Sequence, residues 1–311
     1  MTMKVLAEVR RGDRVESLHH GWAVVMNAQG SVLYEIPGAP SIFVRSAAKP
    51  FQALPLVRSG AFDSLGLDDS HLALCCASHA GEAPHQAGVA RILEQVGLTP
   101  HHLRCGAHRP LADAGAPPTS LANNCSGKHA GMLTTCVHSG WDVASYTDPT
   151  HPLQHEIASG IEQLGETRLA CAIDGCSVPT WYMPMASLAL AYARLPGDPA
   201  GRRIAAAMCT HPAMVSGTGR RDTRLMQVTG GRVLSKGGAE GVAAGCLPEL
   251  GIGFAVKIAD GSSRAVGPVL VTLLRRLGLL HDHEYEELLP LTRLTVTNHA
   301  GLDVGEIVPA F

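Results

Sequence analysis

Residues 45–56 read RSAAKPFQALPL, a serine three residues ahead of a lysine with proline directly after it. Ser46 and Lys49 stand at i and i+3, so on a helix they share one face. Proline suits only the first turn of a helix, where its missing N–H had no partner to lose. Pro50 therefore puts the pair at a helix N-terminus, where free amides and partial positive charge face outward. A hydroxyl beside a neutral amine in such a place can attack a carbonyl. The bland alternative is a capping serine with a solvated lysine, and S-x-x-K alone does not separate the two.

Three other stretches carry more polar chemistry than a core needs. CASHAGE (76–82) places Ser78 at the end of a helical segment; the plain reading is a helix C-terminus with a left-handed glycine. FAVKIADG (254–261) interrupts an apolar strand with Lys257, which either points to solvent or is desolvated in a cleft, where its pKa drops. NNCSGKHAGM (123–132) sets Cys125 and His129 at i and i+4, the spacing of two metal ligands on one helix face, and Cys176 in IDGCSVP (173–179) could add a third. Buried free cysteines are common, so the metal and core readings both stand on spacing. The glycines at 217–219 and 237–241 lack a phosphate-binding spacing.

These residues need elements to position them. Residues 3–9 and 22–36 are β-rich, with a turn at Ala-Gln-Gly 28–30. Helical patterns follow in DDSHLALCCA, PHQAGVARILEQVG, SGKHAGMLTTCVHSG and HPLQHEIASGIEQLG, a helical subdomain spanning roughly 65–165. RLACAID (168–174) reads as a buried strand, 184–195 and 199–210 as helices, and RVLSKGG, GVAAGCL and IGFAVKI as short strands before a helix in SSRAVGPVLVTLLRRLGLL. The expected class is α/β (α+β): one domain over 1–311, with a largely antiparallel sheet built from both chain ends and helices covering its faces.

Composition narrows the partners. At 311 residues, 46% hydrophobic and 17% charged, with net charge −2, the chain is an ordinary globular protein without a basic run. That points away from nucleic acid and anionic membranes and toward small molecules. The N-terminal MTMKVLAEVRRGDRVES has no apolar core of a secretion signal, and no apolar run approaches eighteen residues, so a cytoplasmic protein is expected. Nine scattered cysteines fit reduced thiols or metal ligands better than a disulfide framework.

In this order and at these separations, RSAAKPFQALPL, CASHAGE, NNCSGKHAGM, DGCSVP and FAVKIADG resemble the L-asparaginase II family of the rhizobial type over nearly the whole chain. The order is also similar to that of penicillin-recognising serine enzymes and serine glutaminases, and the resemblance implies their fold. It implies two serine–lysine tandems, Ser46 with Lys49 and Ser78 with Lys257, and a zinc site of Cys125, Lys128 and Cys176 with a water. Ordinary coordination rules would choose His129, because a lysine must first surrender a proton. The resemblance favours Lys128 and leaves His129 as a neighbour on the substrate side.

The implied activity is hydrolysis of the side-chain amide of L-asparagine. Ser46 attacks with Lys49 as base, Ser78 passes a proton to the leaving amide, and zinc orients rather than attacks. Arg45 is the cation nearest in sequence for the α-carboxylate, and Asp174 would hold the ammonium or brace the metal. A homodimer is expected by analogy with the related serine enzymes. The rivals are a glutaminase or another serine acyl hydrolase of the same plan, and a zinc- or thiol-binding protein without catalysis. A β-lactam hydrolase would call for late K-T-G and S-D-N motifs, whereas Ser78 continues as His-Ala and the late motif is K-I-A-D-G.

Overall fold

A computed structural model describes residues 3–311. Its strands are β1 (Lys4–Arg11), β2 (Arg14–Asn27), β3 (Val32–Glu35), β4 (Ser41–Phe43), β5 (Ala170–Ile173), β6 (Pro179–Pro184), β7 (Leu234–Gly238), β8 (Val242–Leu247), β9 (Ile252–Ile258), β10 (Leu294–Thr297) and β11 (Asp303–Pro309). The main sheet runs β10–β11–β1–β2–β9–β8–β7, with β3 also paired to β2, and its pairings are antiparallel. It is built from both ends of the chain, as the sequence led us to expect. A second, three-stranded sheet has the order β4–β6–β5.

Strand alternation divides the core between the two faces of the main sheet. On β2, Val24 and Met26 join a large cluster with the helices between residues 49 and 210, while Ala23 and Val25 join a second one. That second cluster packs the sheet against helices Val266–Arg276 and Asp282–Thr292. The result is a sheet with helices on both faces.

The helical patterns of the middle region appear as Asp69–Cys75, Ala83–Gln95, Ser126–Ser139 and Pro152–Gly165. Helix Ser126–Ser139 is buried over most of its length and packs tightly on Asp69–Cys75. Gly127 permits this approach, since a Cβ there would lie 2.2 Å from the Leu74 carbonyl oxygen.

One expectation is corrected. Residues 170–173 do form a strand, but all four are exposed, because β5 is an edge strand paired only with β6. A short run of apolar residues does not reveal whether both its faces are covered. No helix of the described residues is long and apolar enough to cross a membrane.

Candidate active site

The stretch around Ser46 begins as the 3-10 turn Arg45–Ala48 and continues as the helix Lys49–Gln52, with Pro50 in its first turn. Several contacts fix this turn. Val44 N–H donates to the Trp181 carbonyl at 2.9 Å, Tyr192 Oη donates to the Ala47 carbonyl at 2.6 Å, and Lys49 N–H closes on the Ser46 carbonyl. Arg45 holds φ at 50°, a left-handed conformation that a non-glycine residue adopts only when its surroundings enforce it. Ser46 follows directly and is half-buried.

Ser78 lies beyond the end of helix Asp69–Cys75, its N–H held by the Val215 carbonyl at 2.9 Å. His79 next to it is a structural residue. It is fully buried, with Nε2 3.0 Å from Ser126 Oγ, and its Nδ1 accepts from the Gly81 N–H at 3.1 Å.

A cleft of about 460 Å³ brings Ser46 and Ser78 together, lined also by Asn124, Arg220, Asp222 and Lys236. Lys236 Nζ donates to Ser78 Oγ at 2.8 Å and to the Gly237 carbonyl at 2.8 Å. The side chain is only 1% exposed. Its burial, reinforced by the charge of Lys49 and opposed by Asp222, lowers its pKa to about 7. It is therefore an amine that can carry or release a proton near neutrality. Asp222 is buried beneath it, accepting from Ser235 Oγ at 3.1 Å and from Gly237 N–H at 2.6 Å and pairing with Arg221 at 3.0 Å. Against the upward push of burial, Arg221 and Lys236 hold its carboxyl down to about 2.

The partner expected for Ser78 was Lys257, and the structure corrects that. Lys257 Nζ donates to the carbonyls of Glu240 and of Ile258, the latter at 2.9 Å, and lines a different cavity with Arg45 and Asp174. The reason is sheet order. Lys257 sits on β9 in the middle of the sheet, whereas β7 is an edge strand and runs beside the Arg45–Ala48 turn. Gly238 permits this, because a Cβ there would stand 3.0 Å from the Val44 carbonyl oxygen.

The other expected residues fare differently. Ser46 and Lys49 share the turn, but the Lys49 amine donates to the Ala77 carbonyl at 2.5 Å and the Asn124 carbonyl at 3.2 Å rather than to the Ser46 hydroxyl. It thereby ties together the segments before Ser78 and before Cys125. Its burial lowers its pKa, against the raising effect of Cys125. Arg45 donates to Asp174 at 2.8 and 3.1 Å, so the two neutralise each other outside the serine cleft. His129 is wholly buried, its Nδ1 2.7 Å from Tyr146 Oη, and does not line the cleft. The choice of Arg45 rests on nearness in sequence, which does not fix where a side chain turns.

Cys125, Lys128 and Cys176 do converge. Lys128 Nζ is 3.0 Å from Cys176 Sγ, and a Cys176 hydrogen bond, aided by Lys49 and Lys128, drives the Cys125 thiol pKa well down. Burial opposes a charged Lys128, yet the cysteine charges outweigh it and raise the amine's pKa. Two sulfurs and a nitrogen fit the donor types zinc takes, once the lysine gives up its proton. Among the described residues no three His, Cys, Asp or Glu side chains gather around a common point, so a metal here depends on Lys128.

What sequence reasoning missed is Lys236, Asp222 and the cleft arginines. The signal was present in LSKGG: a lysine on a strand followed by two glycines, which let that strand's edge lie against another segment.

Fold and site together define an α/β protein with a serine–lysine contact in a cleft beside the edge of an antiparallel sheet. The chain belongs to the L-asparaginase II family, whose model matches residues 7–309, and is a hydrolase acting on amides. No curated relative matches. Among solved structures the chain is similar to a beta-lactamase from Mycobacterium bovis, at 14% identity and TM-score 0.45 over 83% of this chain and 94% of that one. It is also similar to Mglu in its native form (13%, TM-score 0.39, over 84% and 64%). A third is EstCE1, a hydrolase with promiscuous acyltransferase activity (11%, TM-score 0.35, over 91% and 92%).

Proposed function

We propose that this protein is an L-asparaginase that works through a seryl ester in the Ser46–Ser78–Lys236 cleft. The observation that carries this reading is the 2.8 Å contact between Lys236 Nζ and Ser78 Oγ in the cleft that also holds Ser46. Ser46 is the nucleophile: it follows a strained residue and sits half-buried at the start of a helical turn. Its proton passes through the Ser78 hydroxyl to the neutral Lys236 amine as Ser46 Oγ bonds to the amide carbon. The same proton returns through Ser78 to the leaving nitrogen as the C–N bond breaks, releasing ammonia. Water then enters and loses a proton to the same relay as it bonds to the ester carbon, and the relay returns that proton to Ser46 Oγ as the ester C–O bond breaks, giving L-aspartate. The Lys49 amine, between the Ala77 and Asn124 carbonyls, keeps the two serine segments together, and its charge helps hold Lys236 near neutrality.

For the substrate's α-carboxylate the cleft offers Arg220. Its Nε donates to Ser216 Oγ at 3.2 Å, and among the described residues no carboxylate pairs with it. Arg221, by contrast, is taken by Asp222. If zinc is bound, Cys125, Lys128 and Cys176 hold it, and it would supply a fixed positive charge beside the Asn124 segment. The functional reading further includes a cytoplasmic homodimer acting on a small molecule.

The test is ammonia release by purified protein from L-asparagine and L-glutamine. The reading expects asparagine to be preferred and Ser46→Ala to lose activity; preference for glutamine, or full activity in that variant, overturns it.

A further inference from the structure

A larger cavity, about 570 Å³, lies on the other side of the turn that carries Ser46, and none of the steps above uses it. Consecutive residues separate the two spaces: Arg45 and Glu240 line the larger cavity, while Ser46 and Ala239 line the cleft. One wall is apolar and aromatic. Phe43 and Tyr182 stand with ring centroids 5.0 Å apart and remain 43% and 41% exposed, with Ile42 and Trp22 beside them.

The polar groups on the other walls are incompletely paired. Thr180 is 6% exposed, and its hydroxyl has no hydrogen-bond partner. That oxygen is covered by protein and not open to the cavity, so Thr180 contributes shape to the wall and no ligand contact. The Lys257 ammonium has three N–H groups and donates to two backbone carbonyls, and no carboxylate among the described residues pairs with it. Glu240 is exposed at the rim, and among the described residues no cation side chain pairs with its carboxylate. An ammonium and a carboxylate without direct ion-pair partners among the described residues, and an aromatic wall, in one concavity complement a ligand with both charges and an apolar body.

We infer that this cavity is a second ligand site, distinct from the serine cleft, for a free α-amino acid with a large apolar side chain. The carboxylate would take Lys257, the ammonium would face Glu240, and the side chain would lie against Phe43, Tyr182 and Trp22. The inference is independent of the hydrolysis proposed above, because it concerns binding on the opposite side of the Arg45–Ser46 wall.

The experiment is calorimetric titration of the full chain with L-phenylalanine, alone and with saturating L-aspartate, and with Lys257→Met and Glu240→Gln, each checked for a cooperative melt. A ligand of this size should bind with a dissociation constant on the order of a millimolar or tighter. We expect one site per chain, insensitive to aspartate, weakened about ten-fold in each variant. 3-Phenylpropionate and 2-phenylethylamine, which each lack one charge, should bind about ten-fold more weakly. Absence of binding at saturating phenylalanine, displacement by aspartate, or wild-type affinity in both variants would each overturn the assignment. Equal affinity for the singly charged analogues would overturn the zwitterion.

Discussion

Replacing Lys236 with methionine separates its two consequences, one for stability and one for rate. The amine's pKa falls from 10.5 unfolded to about 7 folded. A lysine with a depressed folded pKa binds its proton more weakly in the native state, so its stability contribution is full above 10.5 and is lost as pH falls to about 7. Between those limits the unfolded chain holds about one more proton than the native one, and stability should change by about 1.4 kcal/mol per pH unit from this group. Over about 2 units of that window the sum is about 3 kcal/mol. The side chain is 1% exposed, so solvent screening removes little of this. Methionine keeps the stem's volume and abolishes the titration, while Asp222 retains Arg221, Ser235 and the Gly237 amide. The assay is urea unfolding of both proteins from neutral to alkaline pH, with kcat/KM measured in parallel. The stability difference between variant and wild type should shift by about 3 kcal/mol in favour of the wild type on going alkaline. The variant should lose about 10²–10⁴ in kcat/KM. In the wild type, kcat/KM should rise with pH through about 7, as the amine becomes neutral. Parallel stability curves with retained turnover would refute the reasoning.

Three further outcomes follow from the same geometry. Lys257→Met should keep asparagine hydrolysis within about two-fold of wild type, because its amine sits in the other cavity; a loss comparable to that of Lys236→Met would restore the original pairing. Arg220→Met should raise KM about ten-fold or more with little change in kcat, as expected for an arginine that holds a carboxylate equally in the ground and transition states, and steady-state kinetics reads this directly. Gly127→Ala should destabilise by about 1–3 kcal/mol in urea, since the new Cβ would meet the Leu74 carbonyl oxygen at 2.2 Å and backbone must move.

Much of the fold could be read from periodicity and punctuation. Pro50 marks the helix start, the Ala-Gln-Gly break becomes the β2–β3 turn, and the three Gly-punctuated stretches after residue 232 become β7, β8 and β9. The choice between two lysines was not legible in the same way. Lys236 and Lys257 both interrupt apolar strands, and a strand pattern reports which face a side chain takes but not which strand ends up at the sheet's edge. That order is set by the long-range pairing of β2 with β9, after which the local β9–β8 and β8–β7 hairpins leave β7 at the edge. The sulfur cluster shows a related limit. Spacing on one helix proposed His129 beside Cys125, whereas the structure turns His129 toward Tyr146 and Lys128 toward Cys176 from a distant loop. β5 failed for a third reason, since burial of a four-residue strand depends on what packs over it.

The central claim is that the Ser46 hydroxyl forms a covalent ester with substrate while Ser78 and Lys236 move the proton. Acid-quenching the enzyme during turnover of L-asparagine and locating the adduct by peptide mass spectrometry tests it most directly. The account predicts an aspartyl ester on Ser46 that accumulates when the relay is weakened by Ser78→Ala; an adduct on Ser78 in the wild type, or turnover undiminished in Ser46→Ala, would contradict it.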